Sequence, residues 1–114
     1  MKVHYLEVVA DDVDAVCATY AAAHDAIFGP PDPLLGGART ARLPGGGIVG
    51  VRAPMHVTEL PIVRPYWLVD DIRAALAEVV AKGAFIAHPP LEIPGKGTFA
   101  IYFAGGAQHG LWQL

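Results

Sequence analysis

The stretch YWLVDDIRAALAEVVAKG, residues 66–83, decides the fold because its pattern occurs once before in the chain. An apolar run ends in a pair of aspartates, of which Asp71 is the second, and apolar residues then recur at helical spacing. The same order occurs near the N-terminus, where Asp12 closes the pair. Asp12 and Asp71 are 59 residues apart. A repeat of this length predicts two similar supersecondary units that share one core.

Glycine-rich turns repeat with nearly the same offset, since Gly50 and Gly110 follow such turns and are 60 residues apart. Each half reads as strand, helix and three strands (βαβββ), with the proline-rich residues 28–33 as an irregular edge strand or a loop. The sequence therefore predicts an α+β protein, a single domain over residues 1–114 made of two modules, about 1–55 and 60–114. Side by side, the modules would form a sheet with helices outside and a concavity inside.

Composition limits the class of protein. A chain of 114 residues with 54% apolar residues can bury a core without disulfides, and its single cysteine excludes a disulfide framework. The net charge of −3 argues against a nucleic-acid partner, and no apolar run is long enough to span a membrane. We expect a cytoplasmic protein, because no signal peptide is recognised. The apolar surplus predicts a homodimer.

The repeat, the aspartate pairs before both helices and the hairpin ending in GLWQ (residues 110–113) give the chain a resemblance to a known family. It resembles the vicinal oxygen chelate superfamily, which contains glyoxalase I, bleomycin-resistance proteins and extradiol dioxygenases. The resemblance covers essentially the whole chain. It implies a glyoxalase-like fold, in which two βαβββ modules form a curved mixed sheet.

The resemblance also implies where a metal would be bound. In metal-dependent members, two side chains from each half hold a divalent ion, and these positions fall here on Tyr5, Gly50, Arg64 and Gly110. Glycine has no donor atom, arginine stays protonated, and a lone tyrosine is a poor ligand for such an ion. We therefore expect no metal and no cofactor at this position, which puts glyoxalase-type and dioxygenase-type chemistry in doubt.

An alternative metal site would use histidines. A shift of one residue offers His4 and His109, but such a shift turns a strand residue to the opposite face of the sheet. His56, in the connector between the halves, could complete a relocated site with them. Each of the three also has a structural interpretation, as a core, connector or opposite-face residue, and no metal-binding spacing supports the relocated site.

Strand alternation predicts a ligand site in the concavity, because residues two apart share a face. Side chains of this kind form the predicted ligand-binding set: Tyr5, Arg52, Arg64, Tyr66 and Trp112. Arginine offers a planar pair of donors to a carboxylate or phosphate, so the expected ligand is a small anionic or aromatic molecule. Glu7 lies on the same face and is the candidate catalytic base. The alternative is that Glu7 only neutralises Arg52 or Arg64 in a structural ion pair.

Three functions follow from this site. The first is a small-molecule-binding protein without the usual metal. The second is an enzyme of isomerase, lyase or hydrolase type, with Glu7 as base and Arg52 or Arg64 as electrostatic stabiliser. The third is a drug-sequestering protein like those of bleomycin resistance. Because such a drug is cationic, the positive charges of Arg52 and Arg64 argue against this function.

Overall fold

The computed structural model describes all 114 residues and has an α+β architecture with two helices and seven strands. The elements are, in chain order, β1 (Val3–Val9), α1 (Val13–His24), β2 (Arg39–Arg42), β3 (Ile48–Arg52), β4 (Ile62–Leu68), α2 (Ile72–Ala81), β5 (Phe85–Ile93), β6 (Gly97–Ala104) and β7 (Ala107–Gln113). Parallel and antiparallel pairs both occur, so the predicted class and the mixed sheet are confirmed. Neither helix is long and apolar enough to cross a membrane.

The chain forms two compact units. The first unit is Tyr5–Val63, and the second unit is Arg64–Leu114 together with Met1–His4. In the first unit, β3 pairs in parallel with β1 and antiparallel with β2. In the second unit, β7 pairs in parallel with β4 and antiparallel with β6, which in turn pairs with β5. The two units therefore repeat the same parallel pair beside an antiparallel one.

Both helices begin at the aspartates that the sequence singled out. Asp12 accepts a hydrogen bond from the N–H of Ala15 at 3.0 Å, and Asp71 accepts one from Ala74 at 3.1 Å. Each carboxylate satisfies a backbone donor that has no partner inside the helix. After α2, Gly83 has a φ of +101°, and the backbone N–H groups that follow bond back into the last turn. This Schellman ending explains why a glycine stands there.

The first unit differs from the second in the proline-rich segment. Most of this segment, residues 28–32, forms a loop whose strand-like feature is an isolated bridge between Asp32 and Ala38, and its last proline begins a short 3-10 helix (Pro33–Leu35). The first unit thus has two strands after its helix instead of three. Closely spaced prolines remove the backbone donors that a ladder needs. In the second unit, β5 remains a strand because its proline pair lies at a shift of register.

Each unit buries one sheet face under its helix. In the first unit the core is formed by Val8, Cys17, Ala41, Val49 and Val51. In the second unit it is formed by Ile72, Leu76, Ala100 and Leu111. Because side chains alternate along a strand, the residues between these core positions lie on the opposite side. We call that side the helix-free face of each unit, and it carries all the residues that the sequence proposed for a ligand site.

Candidate functional site

The buried cation of the first unit is Arg52, at the end of β3. Its Nε donates to Oε2 of Glu7 at 2.9 Å, and its two Nη groups donate to the carboxylate of Glu59 at 2.8 Å each. The same carboxylate accepts the backbone N–H of Met55 at 2.7 Å, which holds the segment after β3 against the strand. Sequence reasoning missed Glu59 as a member of this cluster, because nothing in its spacing from Arg52 signals the contact.

This cluster makes Arg52 a structural cation. Its hydrogen bonds to Glu59 raise its pKa, burial opposes the rise, and the charge of Glu7 adds to it, so the net direction is upward. The ion pair between Glu7 and Arg52, which the sequence left as an alternative, is present. A guanidinium that donates to two carboxylates has little capacity left for a ligand.

Tyr5 fills the space above Gly50 in the first unit. A Cβ atom at Gly50 would lie 1.8 Å from the hydroxyl oxygen of Tyr5 and 2.5 Å from its Cζ. No side chain larger than hydrogen can occupy that position without moving the ring. Tyr5 is itself only 4% exposed, so its ring has no solvent-filled space to move into at low cost.

The buried cation of the second unit is Arg64, on β4. Its Nε donates to the hydroxyl of Tyr66 at 3.2 Å, its Nη1 donates to Oε1 of Gln108, and its guanidinium carbon lies 5.7 Å from the centre of the Tyr66 ring. The structure thus brings together Arg64 and Tyr66 as the strand alternation predicted. Gln108 is an additional site residue that the sequence did not single out.

Tyr66 covers Gly110 as Tyr5 covers Gly50. The two residues are directly opposite in the register of β4 and β7, and a Cβ at Gly110 would lie 2.4 Å from Cδ2 of Tyr66. It would also lie 2.8 Å from the carbonyl oxygen of Pro65, which is backbone. In both units, therefore, a tyrosine ring takes the volume of the side chain that the glycine lacks.

Aromatic rings extend the helix-free face of the second unit. Trp112 stands perpendicular to Tyr66 at 5.9 Å between ring centres and is roughly parallel to Phe99 at 6.4 Å. His88 stacks on Phe99 at 4.8 Å, so it is part of this face. The indole N–H of Trp112 donates to the carbonyl of Lys96 at 3.1 Å, which fixes the ring.

The residues at the four metal positions do not fit a divalent ion. Two of the positions are glycines covered by rings, and the other two are Tyr5 and Arg64. A protonated guanidinium repels a cation, and the Tyr5 ring is packed over Gly50. Nowhere in the chain do three or more His, Cys, Asp or Glu side chains group as metal ligands would.

The three histidines of the relocated site do not form a cluster. The ring of His4 lies 5.5 Å from that of Trp112. His56 is exposed in the connector, as its structural interpretation predicted. His109 stacks on Tyr102 at 5.0 Å, on the side of the sheet that packs against α2. Its predicted place on the face opposite to the ligand site is therefore confirmed.

Comparison with known proteins gives no match in sequence. No protein-family model matches this chain, and no curated protein matches it either. Solved structures do match. The methylmalonyl-CoA epimerase of Mycobacterium tuberculosis superposes with a TM-score of 0.74 at 16% identity, over 97% of this chain and 86% of that one.

Two further structures match over nearly their full length. A hypothetical protein from Bacillus halodurans C-125 has a TM-score of 0.73 at 14% identity, covering 99% of this chain and 94% of that one. A Streptomyces coelicolor methylmalonyl-CoA epimerase in complex with 2-nitronate-propionyl-CoA has a TM-score of 0.68 at 15% identity, covering 99% and 96%. The chain thus has the glyoxalase-like fold of these methylmalonyl-CoA epimerases.

Proposed function

We propose that this chain is a small-molecule-binding member of the glyoxalase-like superfamily that works without the usual divalent metal. The observation that carries the proposal is the ring-over-glycine packing at Tyr5 and Gly50 and at Tyr66 and Gly110. A side chain long enough to hold a metal cannot be placed on either glycine while the ring stays. The ligand would bind to the fixed side chains of the helix-free face instead.

Arg64 is the better candidate of the two predicted ligand-binding arginines. Arg52 donates to the carboxylates of Glu7 and Glu59, which leaves little of its guanidinium for a ligand. Arg64 also stands beside the aromatic rings of Tyr66 and Trp112. This combination of positive charge and aromatic surface supports an anionic or aromatic ligand.

The enzyme alternative, with Glu7 as base, is favoured by one observation only, the fold shared with epimerases. Fold alone does not establish a reaction. A general base needs a lone pair aimed at the substrate, and the Oε2 of Glu7 instead accepts from Arg52 in a buried pair. The same positive charge on Arg64 argues against a cationic drug as ligand.

A ligand screen by thermal shift tests the binding proposal. The screen compares the wild type with Arg64→Met, using aromatic and aliphatic carboxylates together with their neutral amides. We expect the carboxylates to raise the melting temperature of the wild type and to lose that effect in the variant. Arg73→Met is the control, because Arg73 is exposed on α2. Equal shifts in Arg64→Met and wild type would show that Arg64 does not bind the ligand.

Metal independence is tested separately. Elemental analysis of the untagged protein should find no stoichiometric divalent metal, and neither EDTA nor added Co²⁺ or Zn²⁺ should change the melting temperature. A ligand that binds only the folded state stabilises it by mass action, so a resident metal would give a clear shift. A stoichiometric metal that is lost on replacing His4 or His109 would overturn this part of the proposal.

A further inference from the structure

A row of four side chains crosses the helix-free face of the second unit and changes character from one end to the other. It runs from Arg64 on β4 through Gln108 on β7 and Phe103 on β6 to Phe85 on β5. Phe103 lies opposite Gln108 in the strand register, and Phe85 lies opposite Phe103. Arg64 joins the row through its hydrogen bond to Gln108. We call these four residues the end row.

The end row is polar and covered at one end, and apolar and exposed at the other. Arg64 is 6% exposed and Gln108 is half-buried, whereas Phe103 is 40% exposed and Phe85 is 74% exposed. Two neighbouring phenylalanines at this exposure form a larger apolar surface than the scattered single residues that are usual on proteins. Phe85 also lies on β5, the outermost strand of this unit.

Gln108 presents an oriented donor at the junction between the two ends. Arginine can only donate, so the atom of Gln108 that faces Arg64 must be the amide oxygen, Oε1. The amide nitrogen of Gln108 therefore points away from Arg64, and it makes no hydrogen bond within the protein. An acceptor group placed beside Phe103 would meet this N–H, with the positive charge of Arg64 behind it.

We infer that the end row binds an amphipathic carboxylate, with its head at Gln108 and its apolar tail along Phe103 and Phe85. This inference rests on the proposed function and specifies the class of ligand. Two strand spacings separate Gln108 from Phe85, which is about 10 Å and matches the length of an acyl or aryl-alkyl tail of about eight carbons. The outward N–H of Gln108 selects an acceptor headgroup such as a carboxylate, and the exposed rings select an apolar tail.

Isothermal titration calorimetry with octanoate, butanoate and octanamide tests the assignment. Octanoate should bind more tightly than butanoate by about tenfold or more, since each methylene laid on an apolar surface contributes about a twofold to fourfold gain. Octanamide should bind more weakly than octanoate, because it lacks the charge. Equal affinities for octanoate and butanoate, or for octanoate and octanamide, would overturn the inference.

Two variants and a matched control locate the site. Gln108→Glu keeps an oxygen that can accept from Arg64, but it replaces the outward N–H with a negatively charged oxygen that repels a carboxylate. The affinity for octanoate should therefore fall by at least about tenfold. Phe103→Ser should weaken octanoate about fivefold and leave butanoate little changed. Ile27→Ser is the matched control, because Ile27 is 88% exposed and lies in the first unit. If Phe103→Ser does not fold, Phe85→Ser gives the same test at a more exposed position.

The outcomes separate this inference from the proposed function. If octanoate binds all variants equally, the ligand class stands but the end row is the wrong place. If Phe103→Ser instead dissociates a dimer in sedimentation, the row is a contact between copies and the inference is wrong. If no carboxylate binds and native mass spectrometry finds no co-purified small molecule, the proposed function fails with it.

Discussion

Replacing Gly50 with alanine should destabilise the protein, although alanine is normally the better residue in a strand. The added Cβ would lie 1.8, 2.5 and 2.8 Å from three atoms of the Tyr5 side chain, all closer than real Cβ contacts. Backbone strain is not involved, because Gly50 lies in the extended region of β3. The whole penalty therefore comes from overpacking against a ring that is 4% exposed.

Overpacking of this kind costs about 1–3 kcal/mol. For a domain of this length, 1 kcal/mol corresponds to about 4 °C in melting temperature, so Gly50→Ala should lower it by about 4–12 °C. Gly29→Ala is the control, since a Cβ there meets only the carbonyl oxygen of Thr40 at 3.9 Å. That variant should stay within about 0.5 kcal/mol of the wild type.

The decisive measurement is a double-mutant cycle of Gly50→Ala with Tyr5→Ala, in which the free energy of unfolding is measured by urea denaturation monitored by circular dichroism. Once the ring is removed, the Cβ at position 50 enters empty space, and glycine-to-alanine replacement gains about 0.4–1 kcal/mol through the unfolded chain. Gly50→Ala should therefore destabilise the wild type and stabilise Tyr5→Ala. The same sign and size in both backgrounds would refute the ring-over-glycine argument.

Four further measurements test the structure. In urea denaturation, Arg52→Met should lower the free energy of unfolding by about 3–5 kcal/mol, because it removes the cation that pairs with Glu7 and Glu59. Arg39→Met removes an ion pair with an exposed carboxylate and should lower it by less than about 1 kcal/mol. Cys17 should resist iodoacetamide at pH 8 until urea unfolds the chain, since burial raises its pKa; rapid native labelling would contradict this. Burial, with the charge of Lys2, lowers the pKa of His4 below 6.5. The neutral imidazole therefore contributes stability above pH 6.5, and this contribution is lost as the pH falls. His4→Gln should make the free energy of unfolding depend less on pH in this range. Sedimentation at micromolar concentration should give a dimer, and a monomer would contradict the expectation from the apolar composition.

The fold could be predicted from the sequence because its signals are local. Asp12 and Asp71 mark the helix starts through contacts with residues three positions away, and Gly83 ends α2 through its own backbone angle. The proline-rich segment was ambiguous for the same reason. Proline restricts the chain in a loop and in an edge strand alike, and only the neighbouring strand decides between them.

The sequence predicted which side chains of the candidate site share a face of the sheet, but not which of them form hydrogen bonds with one another. Strand alternation put Glu7 and Arg52 on one face, and the pairing was one of the two alternatives. The contacts of Glu59 with Arg52 and of Gln108 with Arg64 were missed, since they depend on a connector path and on side-chain rotamers. Neither leaves a periodic trace in the sequence.

The two repeats reach the same packing from positions that are not equivalent. By the repeat offset, Tyr5 in the first unit corresponds to Arg64 in the second. The ring that covers Gly110, however, belongs to Tyr66, which lies directly opposite that glycine in register. Tyr5 lies opposite Ile48 and reaches Gly50 diagonally. A ring can close the space above a glycine from either place, because long side chains reach diagonal neighbours across strands.

The position left over in each repeat then carries the charge. In the first unit it holds Glu7, which is directly opposite Gly50 and bonds onward to Arg52 beyond the glycine. In the second unit it holds Arg64, which bonds to Gln108 before Gly110. The polar contacts therefore lie on opposite sides of the two glycines along their strands, with an anion engaged in one unit and a cation in the other.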